Sequence, residues 1–182
     1  MAFRPGSSGS ISFQRVLDFW FGPKSSASYL QPKPFWYGSP ADDAVVAAHL
    51  EPAYHSAAAG HLSHWVDPPS GSAESALALI LLLDQVPRNI FRGTPQAYAT
   101  DQQAVSVARA AVERGWDRDL PDIMKRYMYS PFNHSEELAD QEESVRLFTQ
   151  LGDPYHLRFA KDFHDAVKRD GRFKHRDRIL GR

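Results

Sequence analysis

Apolar positions fall at helical spacing along most of this chain, and one stretch dominates. From Ala76 to Leu83, eight consecutive apolar residues cover every face of a helix, which predicts an element with neighbours on all sides at the centre of the fold. The same stretch then turns polar: Asp84, Gln85, Arg88, Asn89 and Arg92 follow within nine residues. Pro87 withholds a backbone donor and crowds the carbonyl four residues earlier, so a bend or an end is predicted beside this cluster.

Other segments arrange themselves around that helix. Phe13, Val16, Leu17 and Trp20 form one face of a short amphipathic helix that Gly22-Pro23 ends. Ser39-Pro40 followed by two aspartates starts a second helix, which runs to about Ala59, stops at Gly60 and is kinked by Pro52. Ser72 caps the central helix. Thr94-Pro95 predicts the start of the next, presenting Tyr98, Val105, Ala108 and Val112 and ending at Arg114-Gly115. Pro121 opens a stretch through Met124 and Met128 that Pro131 stops. Ser135 then serves as N-cap to a helix with Leu138, Val145 and Phe148 inward, and Asp153-Pro154 starts the last long helix, on which Leu157, Ala160, His164 and Val167 share a face. No segment shows bounded strand alternation. The expectation is an all-α fold of about seven helices in antiparallel hairpins, layered around the buried central helix. Residues 1–10, polar and Gly/Ser-rich, are expected to be a flexible arm before a single domain over 11–182.

Composition narrows the function. There are no cysteines, which excludes disulfides and thiolate chemistry. With 21 basic and 22 acidic residues the net charge is -1, so the chain carries no overall electrostatic footprint for nucleic acid. No apolar stretch reaches the roughly 18 residues of a membrane span, and the first ten residues lack the apolar run of a signal peptide. A cytoplasmic protein with no membrane and no nucleic-acid partner is expected.

The candidate chemistry lies in three places. Asp84, Gln85, Arg88, Asn89 and Arg92 fit an anion clamp, in which guanidiniums grip a carboxylate or phosphate while Asp84 and the amides orient them; they equally fit a structural network. His134-Ser135-Glu136 offers a general acid or base with a neighbouring carboxylate, or simply a helix cap. No Gly-x-Ser-x-Gly elbow surrounds Ser135, which counts against a serine nucleophile with His164 as its base. The basic end of the chain can supply Arg172 or His175 to an anionic ligand, or be a solvated surface. His134, Glu136 and His164 have no diagnostic metal spacing, so no metal is expected.

The runs from Leu81 to Gly93, Pro131 to Glu136 and Gly171 to Arg182 resemble the family catalogued as domain of unknown function 924, as do Val16 to Gly22 and Ala58 to Trp65. The resemblance spans nearly the whole chain. It implies an all-α fold similar to tetratricopeptide-type helical layers, without a cofactor and without an assigned activity. Lys174 and Asp177 replace the proline and asparagine usual in the last motif, and Asp170 stands where a phenylalanine is expected.

Taken together, these features predict a cofactor-independent enzyme acting on a small anionic substrate. His134 or His164 would move a proton and Glu136 or Asp84 would set its state. Arg88, Asn89, Arg92, Gln85, Arg172 and His175 would hold the acidic or oxyanion-forming substrate. Hydrolysis, elimination, isomerisation and cyclisation fit equally. The alternative is a non-catalytic helical module that binds an acidic ligand or peptide.

Overall fold

The computed structural model describes residues 11–36 and 38–182; the expected arm over residues 1–10 lies outside them, as does Tyr37 of the Phe35-Trp36-Tyr37 cluster. The fold is all-α, with no strand among the described residues. The helices are α1 (Phe13–Phe21), α2 (Pro40–Ala58), α3 (Ala73–Ile80), α4 (Val86–Ile90), α5 (Asp101–Glu113), α6 (Asp122–His134), α7 (Leu138–Leu151), α8 (Pro154–Asp170) and α9 (Asp177–Leu180).

The start signals act as their chemistry demands. Ser39 Oγ accepts from the Asp42 amide with Pro40 in the first turn, and Ser72 and Ser75 form a reciprocal capping box at the head of α3. Asp153 accepts from the Tyr155 and His156 amides. Gly152 and Gly171 end α7 and α8 in the left-handed conformation that only glycine adopts without cost.

The apolar run behaves as predicted. Ala76 to Leu83 are all at most 3% exposed, and α3 packs against α1, α5 and α6. One contiguous core extends from Val16 on α1 to Ala160 on α8. The short links between α6 and α7 and between α7 and α8 fold these three packed helices back on one another as successive hairpins.

The central helix does not end at Pro87 but runs on to Ile90, within the polar cluster. Leu81–Gln85 form a π-helical turn joining α3 to α4, in which the Val86 amide reaches back to the Leu81 carbonyl. Pro87 offers no N–H to the Leu83 carbonyl, and Thr100 Oγ1 donates to that oxygen instead at 2.5 Å. Pro131 presents the same problem on α6, and the helix does not stop there as expected but continues to His134. The Tyr127 carbonyl, four residues before Pro131, lies 2.8 Å from the Ser130 hydroxyl. At Pro87 a borrowed side-chain donor thus serves the orphaned carbonyl, whereas at Pro131 the Ser130 hydroxyl stands between the Tyr127 carbonyl and Asp84 with one proton for the two.

Three further expectations change. Thr94-Pro95 opens a separate 3-10 turn, Pro95–Tyr98, and α5 begins at Asp101. Ser135 is the C-cap of α6 rather than the N-cap of α7, which starts at Leu138 behind Glu137. Leu138, expected inward, is 40% exposed, whereas Phe148 is buried.

Candidate functional site

The π turn, α4, one face of α6, one face of α8, the segment around Trp36 and the tail after Gly171 enclose a cleft with two joined lobes. The smaller, of about 300 Å³, lies between Arg88, Arg92, Tyr98, His134, His175 and Arg176. The larger, of about 710 Å³, shares Arg88, Arg92, Asn133, His134 and Phe163 with it and continues along α8.

At the junction is Asp84, fully buried on the π turn. His134 Nδ1 lies 2.7 Å from its Oδ1, Gln85 Nε2 donates to Oδ2 at 2.5 Å, and Ser130 Oγ lies 2.8 Å from Oδ2. Arg88 Nη1 sits 3.2 Å from Oδ1 and donates to the Asp84 carbonyl at 2.5 Å. Burial pushes the carboxyl pKa up, but the charge that His134 carries when protonated and the Arg88 charge, with the hydrogen bonds from His134 and Ser130, outweigh it and hold Asp84 well below the usual carboxylate range. An ionised Asp84 accepts the Nδ1 proton of His134. Nε2 then remains without a partner among the described residues, on a ring that lines both lobes.

Asp101 at the start of α5 closes the network from behind. Arg88 Nη2 donates to its Oδ2 at 3.0 Å and Arg176 Nη1 to the same oxygen at 3.2 Å. Burial and the Asp84 charge raise the Asp101 carboxyl pKa against the lowering by Arg88. Arg176, 6% exposed, also donates from Nη2 to the His134 carbonyl at 3.0 Å and stacks over Tyr98 and Phe173. It thereby pins the tail to the end of α6.

The other expected residues divide. Gln85 joins the Asp84 network. Arg92 and Asn89 face the cleft but are both bound to Asp43: Arg92 Nε at 2.7 Å and Asn89 Nδ2 at 2.8 Å. His175 lines the smaller lobe, and burial followed by the Arg176 charge lowers its pKa. Glu136 does not approach His134; it accepts from the Phe173 amide at 2.9 Å and pairs with Arg182, anchoring the tail. Arg172 is paired with Asp177 and lines neither lobe. His164 also lines neither, its Nδ1 lying 3.0 Å from Asp165. Ser135 Oγ is buried and donates to Asp140 at 2.6 Å, which leaves it no access to a substrate. Among the described residues no group of three or more His, Asp or Glu side chains is placed to hold a metal ion, and His134, Glu136 and His164 do not converge.

The family model described as bacterial protein of unknown function, DUF924, matches residues 16–182. The chain belongs to this family. A solved structure of a protein of unknown function from Agrobacterium tumefaciens is 36% identical to it, with a TM-score of 0.82 over 93% of this chain and 90% of that one. No protein of curated function matches the chain. For this DUF924 chain, then, the cleft itself has to supply the functional argument.

Several of its residues are not evident from spacing. Asp101 reads as an ordinary first-turn carboxylate, and Ser130 as a polar residue before a proline. Only the aromatic stripe on α8, Tyr155, Phe159 and Phe163 at steps of four, carries a sequence signal that could have been followed.

Proposed function

We propose that this chain is an acid-base enzyme for small acidic molecules, with His134 moving the proton through Nε2 and Asp84 holding the ring. The observation that carries this reading is the 2.7 Å contact from His134 Nδ1 to the buried Asp84 carboxylate, beside a cleft whose lining, among the described residues, contains no carboxylate. Asp84, Asp101, Asp43 and Asp153 stand behind the arginines and histidines they pair with. Among the described residues, the charged groups a substrate anion meets there are Arg88, Arg92, Arg126 and Arg176, with the imidazoles of His134, His156 and His175 beside them.

The division of labour follows. Asp84 fixes the tautomer, so the Nε2 lone pair is the one available to take a proton, and it stabilises the imidazolium that forms. The proton leaves a carbon or oxygen of the substrate, resides on Nε2 and returns to the substrate or to water. Arg88 and Arg176 oppose the negative charge left on the substrate. With Ser135 turned away and Ser130 held at Asp84, the reading contains no covalent intermediate, and isomerisation, elimination, cyclisation and general-base hydrolysis by water all fit it.

The test is solvent deuterium uptake, followed by NMR, into a panel of small carboxylic and oxo acids. The native chain is expected to exchange or convert at least one acid. His134→Gln should bind it almost as well and lose about 10²–10⁴-fold in rate. Binding without exchange or turnover in the native chain would establish a non-catalytic acid-binding module instead.

A further inference from the structure

The larger lobe of about 710 Å³ is more space than a short-chain acid fills, and its walls are built from rings. Tyr155, Phe159 and Phe163 form a ladder along α8, with centroids 5.0 and 6.4 Å apart. Tyr155, at one end, is 66% exposed, whereas Phe163 borders both lobes beside His134. Trp36, Ile123 and Tyr127 also line this lobe, the two rings packing edge-on at 5.4 Å. Apolar faces left half open to water in a concave site gain free energy when a flat apolar body covers them, and rings favour edge-to-face or offset contact with another ring.

We infer that the substrate is an aryl-tailed acid, its anionic end in the smaller lobe among Arg88, Arg176 and His175 and its aromatic body lying along the Tyr155-Phe159-Phe163 ladder. This rests on the acid-binding part of the function proposed above and adds the chemical class. Charge and shape converge on it. The cationic lining is concentrated where the lobes meet, and the ring ladder leads away from that point toward solvent, so head and tail each have one place to go. Arg126 and His156 lie in the larger lobe, both held on Asp153, and leave room for a polar substituent on the tail.

Calorimetric titration of the full chain with benzoate, biphenyl-4-carboxylate and decanoate tests this. Affinity should rise about tenfold from benzoate to biphenyl-4-carboxylate, with decanoate weaker than the biphenyl acid. Tyr155→Ala, at an exposed position that leaves folding intact, should remove most of that gain while leaving benzoate unchanged; Phe159→Ala should do the same more strongly and Phe159→Leu only in part. Equal affinity for benzoate and the biphenyl acid, decanoate binding as tightly as the biphenyl acid, or variants that weaken benzoate equally would overturn the inference. The two readings fail separately. Tail-dependent binding without deuterium exchange or turnover overturns the acid-base reading alone, whereas turnover of short acids with no tail dependence overturns this one alone.

Discussion

Thr100→Val isolates the device that carries the central helix past Pro87. The side chains match in shape, so the substitution removes one hydroxyl and leaves the packing of a residue only 4% exposed. One group loses its partner: the Leu83 carbonyl, which accepts from Thr100 Oγ1 at 2.5 Å and has no Pro87 N–H to fall back on. A buried polar group left without a partner costs about 1–3 kcal/mol, which is the expected loss. For a chain of this length that is a fall in Tm of about 2–10 °C. Urea unfolding gives the free energy directly, and a constant slope against denaturant shows that the unfolded state has not changed. Adding Pro87→Ala supplies an amide near the orphaned carbonyl, so the double variant should be more stable than the sum of the single losses predicts. If Thr100→Val unfolds within about 0.5 kcal/mol of the native chain, the hydroxyl does not support the turn and the account is wrong.

Three other perturbations probe the same region. Arg176→Ala removes the buried guanidinium that joins Asp101, the His134 carbonyl, Tyr98 and Phe173; a loss of about 3 kcal/mol by denaturant unfolding is expected, with faster amide exchange over residues 171–182. Asp84 has a lowered folded pKa, so its stabilisation is complete above the ordinary value near 3.9 and is lost as pH falls toward the folded one. Asp101 is raised, so its contribution is complete below that ordinary value and is lost as pH rises through the folded one. Asp84→Asn should therefore flatten the loss of stability below about pH 4, and Asp101→Asn should steepen the gain just above it, both read from urea midpoints. Gly38→Ala places a Cβ at φ +73 against the Arg92 guanidinium; a cost of about 1–2 kcal/mol is expected, together with displacement of Arg92 from Asp43.

Much of the fold was legible because the signals are local. Ser39-Pro40, Ser72, Gly152 and Asp153-Pro154 act within one turn of themselves, and the eight-residue apolar run needs no partner to declare itself buried. The polar site was legible as a composition and not as an arrangement. Asp84, Gln85, Arg88 and His134 do meet, but Glu136 and Arg172 turn to the tail and His164 to Asp165, because each has a partner that only the tertiary structure brings near. The pairing of Asp101 with Arg176 was not legible for the converse reason. They lie 75 positions apart, and neither position is unusual until the chain has folded.

The π turn explains why the polar residues can follow the apolar run without spoiling the core. One residue inserted into a helix rotates everything after it by about 100°, because a turn takes 3.6 residues. The insertion lies between a segment buried on every face and a segment of which Gln85, Arg88, Asn89 and Arg92 line a cleft, so one continuous helix serves both environments. Asp84 is the residue on the boundary. It is far enough along the turn to reach His134 and still within the core, where burial strengthens every charge it meets. The two prolines belong to the same arrangement. Pro87 and Pro131 each follow the groups that form the Asp84-His134-Ser130 contact by no more than three residues or precede them by as many, and the Ser130 hydroxyl lies 2.8 Å from both Asp84 and the Tyr127 carbonyl left without a Pro131 N–H. Ser130 is therefore a joint between helix continuity and the electrostatics of the dyad, which is why the chemistry of this cleft and the irregularity of its helices occur at one place.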